Sequence, residues 1–120
     1  MAIERLEHVQ LAMPPGGEDR ARRFYADLLG LRELRKPPNL AVDGGAWFEC
    51  GELMVHLGVE DDFRPARRAH LGFLVSDLQS LAQKLRASGY DIVDAKPLEG
   101  FDRLYTSDPF GNRIEFMERR

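Results

Sequence analysis

Four side chains of this sequence could share a metal ion: His8, His56, His70 and Glu115. Neutral imidazoles and a carboxylate suit Zn, Ni, Fe(II), Mn or Co, and such a set leaves inner positions for water or substrate. Each of the four sits at an alternating position of an apolar run, and residues two apart on a strand share a face. In "LEHVQLAM" one face carries Val9, Leu11 and Met13, while His8 and Gln10 point the other way. In "LMVHLGV" Leu53, Val55, Leu57 and Val59 oppose Met54, His56 and Gly58. "AHLGFLV" sets Leu71, Phe73 and Val75 against His70, Gly72 and Leu74, and "RIEFME" sets Ile114 and Phe116 against Glu115. A lone strand histidine is ordinarily structural. All three histidines of the chain and one glutamate on matching parity point instead to one metal site.

The elements that must position these residues come in two similar halves. After the first strand, "PPGG" breaks the alternation, and "EDRARRFYADLLGL" places Ala21, Phe24, Tyr25, Leu28 and Leu29 at helical spacing with Gly30 as its stop. "LRELRK" is a short strand before a "PPN" loop, and "AWFEC" and "LMVHLGV" form a hairpin across "GE". The order then recurs. A strand at "AHLGFLV" leads to a helix in "SDLQSLAQKLRASGY", with Leu78, Leu81, Ala82 and Leu85 on one face, Ser76 or Asp77 as cap and Gly89 as end. "DIVDA", "DRLYTS" and "RIEFME" are three more strands, the last two joined by "DPFGN". Each half reads strand, helix, strand, strand, strand, in modules 1–60 and 68–120 joined by 61–67. His8 and His56 bracket the first module, and His70 and Glu115 the second.

The composition limits what such a site could serve. The chain has 120 residues, enough for one domain, with 43% apolar residues to build a core. A net charge of −3 argues against nucleic acid as a partner. The single cysteine, Cys50, cannot form an internal disulfide, which fits a reducing compartment. No apolar run approaches the ~20 residues that span a bilayer, and "MAIERLEHVQ" lacks the apolar core of a signal peptide. A cytoplasmic protein without membrane contact is expected.

The pieces "HVQL", "FYADLLGL", "HLGFLVSDL" and "DPFGNRIEFME" resemble the vicinal oxygen chelate superfamily, and the resemblance covers essentially the whole chain. That superfamily includes glyoxalase I, fosfomycin-modifying thiol transferases, extradiol dioxygenases and bleomycin-binding proteins. The resemblance implies an α+β fold, with two βαβββ modules forming a curled mixed-sheet cup and helices outside. It also implies a divalent metal held by His8, His56, His70 and Glu115, a small-molecule substrate, and a homodimer in which modules can exchange between chains. Glyoxalase I usually has Glu or Gln at the position of His56, and the fosfomycin enzymes have Thr at that of Gln10. The fosfomycin enzymes' tyrosine before the Asp-Pro turn is matched by Tyr105. Extradiol dioxygenases use two His and one Glu, a triad that His8, His70 and Glu115 could supply.

The expected function is therefore metal-dependent, glyoxalase-like chemistry on a small oxygen-chelating substrate, of the lyase, isomerase or thiol-transferase kind. An extradiol dioxygenase and a non-catalytic antibiotic-binding protein are the alternatives. His56 and Glu115 are the candidates to move a proton. Gln10 and Tyr105 are candidate substrate contacts, with core packing the other role open to Tyr105. Trp47 and Phe48 lie on opposite faces of one strand, so one of them faces the cup. Cys50 is expected as buried filler and Phe110 as a packing residue of the "DPFGN" turn.

Overall fold

The computed structural model describes residues 2–120. The chain divides into two units, one ending at Arg64 and the other running Pro65–Arg120. The first contains β1 (Val9–Met13), α1 (Glu18–Ala21) continued by a π-helical segment (Arg22–Leu28), β2 (Arg32–Leu34), α2 (Pro38–Ala41), β3 (Ala46–Cys50) and β4 (Leu53–Val59). The second contains β5 (Leu71–Leu74), α3 (Leu78–Ala87), β6 (Val93–Asp94), β7 (Phe101–Ser107) and β8 (Arg113–Arg119). The sheets have the same wiring, β1-β4-β3-β2 and β5-β8-β7-β6. In each the first strand lies parallel to the last, and the other neighbours are antiparallel. The fold is α+β with two four-stranded mixed sheets, and its βαβββ order repeats as expected.

Alternation gives each sheet one apolar face for a helix. In the first unit Met13, Ala46, Phe48, Val55 and Leu57 are buried, and the Tyr25 ring stacks on Phe48 with centroids 5.5 Å apart. The helix that supplies Tyr25 widens after Ala21: Leu29 N–H donates to the Phe24 carbonyl five residues back at 2.9 Å. Consecutive Phe24 and Tyr25 are both buried there, a placement easier on a turn wider than 3.6 residues. In the second unit Leu78, Ala82 and Leu85 of α3 are buried, as are Phe73, Leu104, Ile114 and Phe116 of the sheet. Among the described residues no helix is long and apolar enough to cross a membrane.

Local chemistry fixes the boundaries. Asp77, rather than Ser76, caps α3: its carboxylate accepts from the Ser80 N–H at 3.1 Å and from the Ser80 hydroxyl at 2.8 Å. Those two bonds, backbone first, pull the Asp77 carboxyl below its usual range. Asp77→Ala removes this cap and is expected to lower the urea midpoint with an unchanged slope. In the "DPFGN" turn Asp108 accepts from the N–H groups of Phe110 and Asn112, both at 2.9 Å, and Gly111 takes φ 92°. Phe110 is buried, as expected of a packing residue.

Three expectations are corrected. The "PPN" stretch is a single helical turn, α2, with Pro38 at its start where a missing N–H costs nothing. "DIVDA" contributes only the two-residue strand β6. Cys50 is exposed, because it ends β3 at the hairpin turn, where the helix-covered face has run out.

Candidate functional site

The repeat sets four candidate ligands in two equivalent pairs. In the first unit Gln10 of β1 lies opposite His56 of β4, and His8 immediately precedes β1, two residues before Gln10. In the second, Gly72 of β5 lies opposite Glu115 of β8, and His70 stands two residues before Gly72. The third strands match as well: Trp47 faces His56 and Tyr105 faces Glu115 across their ladders. The expected parity therefore holds within each unit, with Trp47 on the His56 face and Phe48 under the helix.

In the first unit the pair is built as a stack of rings. The His8 and His56 centroids are 4.1 Å apart and those of His56 and Trp47 4.2 Å apart, with the rings nearly parallel in both cases. His8 Nδ1 lies 2.7 Å from Glu7 Oε1, an arrangement in which a carboxylate orients the ring and leaves Nε2 as the free donor atom. His56 is buried, and its Nε2 has no hydrogen-bond partner among the described residues. Leaving such an atom unsatisfied costs about 1–3 kcal/mol, so a position of this kind wants a bound group. The Gln10 side chain lies over Gly58, where an added Cβ would stand only 2.5 Å from Gln10 Nε2.

Burial, and after it the neighbouring His8 charge, lowers the His56 pKa below its ordinary 6.5. His56 is thus a neutral imidazole at pH 7. The unfolded chain takes up this proton near pH 6.5 and the folded chain only at lower pH, so stability is intact above 6.5 and declines as pH falls. Urea denaturation of metal-free protein is expected to show a loss between pH 7 and 5.5 that is smaller in His56→Gln. An equal loss in both would remove His56 as its source.

In the second unit the two side chains are in direct contact. His70 Nε2 lies 2.9 Å from Glu115 Oε1, while His70 Nδ1 lies 2.8 Å from the Arg68 carbonyl. A carbonyl only accepts, so Nδ1 carries a proton. Nε2 then meets a carboxylate oxygen, and the contact is favourable only with a second proton or a cation between the two. Arg103 Nη1 donates to Glu115 Oε2 at 3.1 Å and to the Tyr105 hydroxyl at 3.0 Å. Burial pushes the Glu115 carboxyl up, but the bonds from His70 and Arg103 outweigh it and hold the pKa below 4.5.

Within neither unit do three or more His, Cys, Asp or Glu side chains converge as a metal-binding group, among the described residues. Each unit supplies a pair. The residues present fit a metal nonetheless: His56 Nε2 is buried without a partner, both outer histidines have a ring nitrogen oriented by an acceptor, and the His70–Glu115 contact calls for a cation. Arg103 was not among the candidates from sequence, although its parity with Tyr105 placed it on the Glu115 face.

Residues 5–116 match the Glyoxalase/Bleomycin resistance protein/Dioxygenase superfamily. The chain is 30% identical over 117 residues to a lactoylglutathione lyase of Haemophilus influenzae, covering 88% of this chain and 87% of that one. It is 44% identical to a glyoxalase family protein of Bacillus anthracis of known structure, with a TM-score of 0.93 over 100% of this chain and 98% of that one. The fosfomycin resistance protein FosX of Listeria monocytogenes shares the fold at 15% identity, with a TM-score of 0.79 over 98% and 95% of the two chains. The wiring repeated in two sheets and these matches along nearly the whole chain agree: the protein belongs to the glyoxalase/bleomycin resistance/dioxygenase superfamily.

Proposed function

We propose that the chain is a divalent-metal-dependent enzyme of glyoxalase type that acts on a small substrate presenting two neighbouring oxygens. Lyase, isomerase or thiol-transferase chemistry fits this reading, and the relative named lactoylglutathione lyase supports the first of these. The observation that carries the proposal is the equivalence of the two pairs. His8 with His56, and His70 with Glu115, occupy the same register positions of two sheets with the same wiring. Both pairs would serve one ion, Zn, Ni, Fe, Mn or Co, in a homodimer in which His8 and His56 of one protomer meet His70 and Glu115 of its partner. An exposed, unpaired Cys50 suits the cytoplasm proposed as its compartment.

Bound there, a divalent ion supplies Lewis acidity to the substrate oxygens. The chain's own residues do the rest. His56, kept neutral by burial, has a ring nitrogen able to accept a proton at Nε2. Glu115 stays ionised beside Arg103 and is the second group able to carry a proton. Gln10, over Gly58, and Tyr105, opposite Glu115, would contact substrate and orient it.

Elemental analysis of the purified protein, followed by turnover of dicarbonyls with and without a thiol, epoxides and catechols, tests the proposal. About one transition-metal ion per chain and turnover abolished by chelation are expected. Bound metal without turnover of any member would make the protein a binder instead, and no metal uptake from any of the five ions would remove the metal reading altogether.

A further inference from the structure

The second unit gathers cations that a metal site does not need. A cavity of about 310 Å³ is lined by Arg68, His70, Lys96, Arg103, Tyr105 and Arg113 together with the segment 93–95, whose Asp94 is its one carboxylate. In a chain of net charge −3, collecting four such cations in one small space costs repulsion unless an anion joins them. The Glu115 carboxylate beside the cavity is already shared between His70 and Arg103.

Arg103 is the most constrained of the four. Its Nη1 is held by Tyr105 and Glu115, and its Nη2 donates to the Lys96 carbonyl at 2.7 Å. These bonds fix the guanidinium plane, and they leave its Nε–H buried without a partner among the described residues. Arg113 lies 3.8 Å above the Tyr105 ring centroid and Arg103 lies 5.8 Å from the same centroid, so one aromatic ring serves two guanidinium groups. The repeat shows that the scaffold does not require them. Where β8 carries Arg113, two residues before Glu115, β4 carries Met54, two residues before His56.

We propose that this cavity binds the anionic end of a small substrate, a carboxylate or phosphate, directly beside His70 and Glu115. As the recognition half of the site proposed above, it rests on that reading in so far as the same molecule's other oxygens reach the ligand pairs. Arg113, braced on the Tyr105 ring, and the remaining N–H groups of Arg103 give the anion fixed donors that a lysine cannot reproduce, and Arg68 and Lys96 supply charge. Neutral dicarbonyls and simple catechols are then poorer substrates than acids of the same size.

The test uses metal-free, isotope-labelled protein at fixed ionic strength, titrated with acetate, inorganic phosphate and, as the neutral control, hydroxyacetone. The buried Arg103 Nε–H is the NMR reporter. Saturable shifts with at least one anion and none with hydroxyacetone are expected, and the tighter anion assigns the carboxylate or the phosphate. Arg103→Met should weaken binding about tenfold, and Arg103→Lys should recover only part of it. Arg113→Met, which leaves the Glu115 contacts intact, gives a second variant should Arg103→Met not fold. No saturable shift with either anion, or affinity unchanged in both arginine variants, overturns the proposal. Zinc binding by the wild-type protein is measured separately, so that zinc without anion binding defeats this inference alone, and anion without zinc binding defeats the metal reading alone.

Discussion

Glu115→Ala is expected to lose divalent metal affinity by about 100-fold or more, at or above the top of the ~10–100-fold range typical of residues that only orient a ligand. Glu115 is the single carboxylate of the proposed ligand set, and its side chain is only 10% exposed. Removing it leaves the Arg103 guanidinium, 3.1 Å away, facing the position of the ion with no counter-charge. The local charge then repels the dication as well as failing to bind it. Glu115→Gln keeps the shape and one acceptor oxygen but loses the charge, so it should lose nearly as much affinity. Competition against a chelating dye reads both. The rival account makes Glu115 only the counter-ion of Arg103. In that case the alanine variant loses stability by stranding the Arg103 charge, read as a lower urea midpoint, while zinc binds as before. A variant that folds and keeps wild-type zinc affinity would therefore remove Glu115 from the ligand set.

How much of this was legible in the sequence depended on whether the signal was periodic. A strand's period of two is unforgiving, because a one-residue slip moves every side chain to the other face. The parity of His56 against Val55 and Leu57, and of Glu115 against Ile114 and Phe116, could thus be read directly and agrees with the register. Helical spacing is more forgiving. Phe24, Tyr25 and Leu28 satisfy both a 3.6-residue turn and a wider one, so the π-helical segment left no mark in the pattern. Pro37-Pro38 signalled a break, yet Pro38 starts α2, since proline punctuates chain and helix starts alike. Trp47 and Phe48 alternate whichever face is covered, and only Tyr25 stacking on Phe48 decides between them. Arg103 was the largest omission. Its role comes from contacts to Tyr105, Glu115 and the Lys96 carbonyl, three partners on two strands and a loop that no spacing rule connects.

Mixing His8→Ala protein with Glu115→Ala protein is expected to restore metal binding and turnover that neither possesses alone. In the proposed homodimer each site takes His8 and His56 from one protomer and His70 and Glu115 from its partner. Each variant homodimer then carries the same defect in both sites. In a heterodimer of the two, one site collects both substitutions and the other collects neither. Random exchange puts about half of the dimers in the mixed form, so about a quarter of all sites should be intact, by the arithmetic of a closed two-fold assembly. Exchange of whole βαβββ modules makes such a dimer accessible, because every strand pairing described here lies inside one unit, β1 to β4 before Arg64 and β5 to β8 after it. The connecting segment 61–67 can therefore change course without breaking a ladder. The measurement is zinc stoichiometry and activity after incubation long enough for subunits to exchange, with exchange followed by mass spectrometry of differently labelled protomers. Intact sites at the wild-type zinc affinity, in numbers that track the heterodimer fraction, are the expected result. Full exchange without recovery would place all four ligands of each site on one chain. A monomer by light scattering at micromolar concentration would remove the dimer itself.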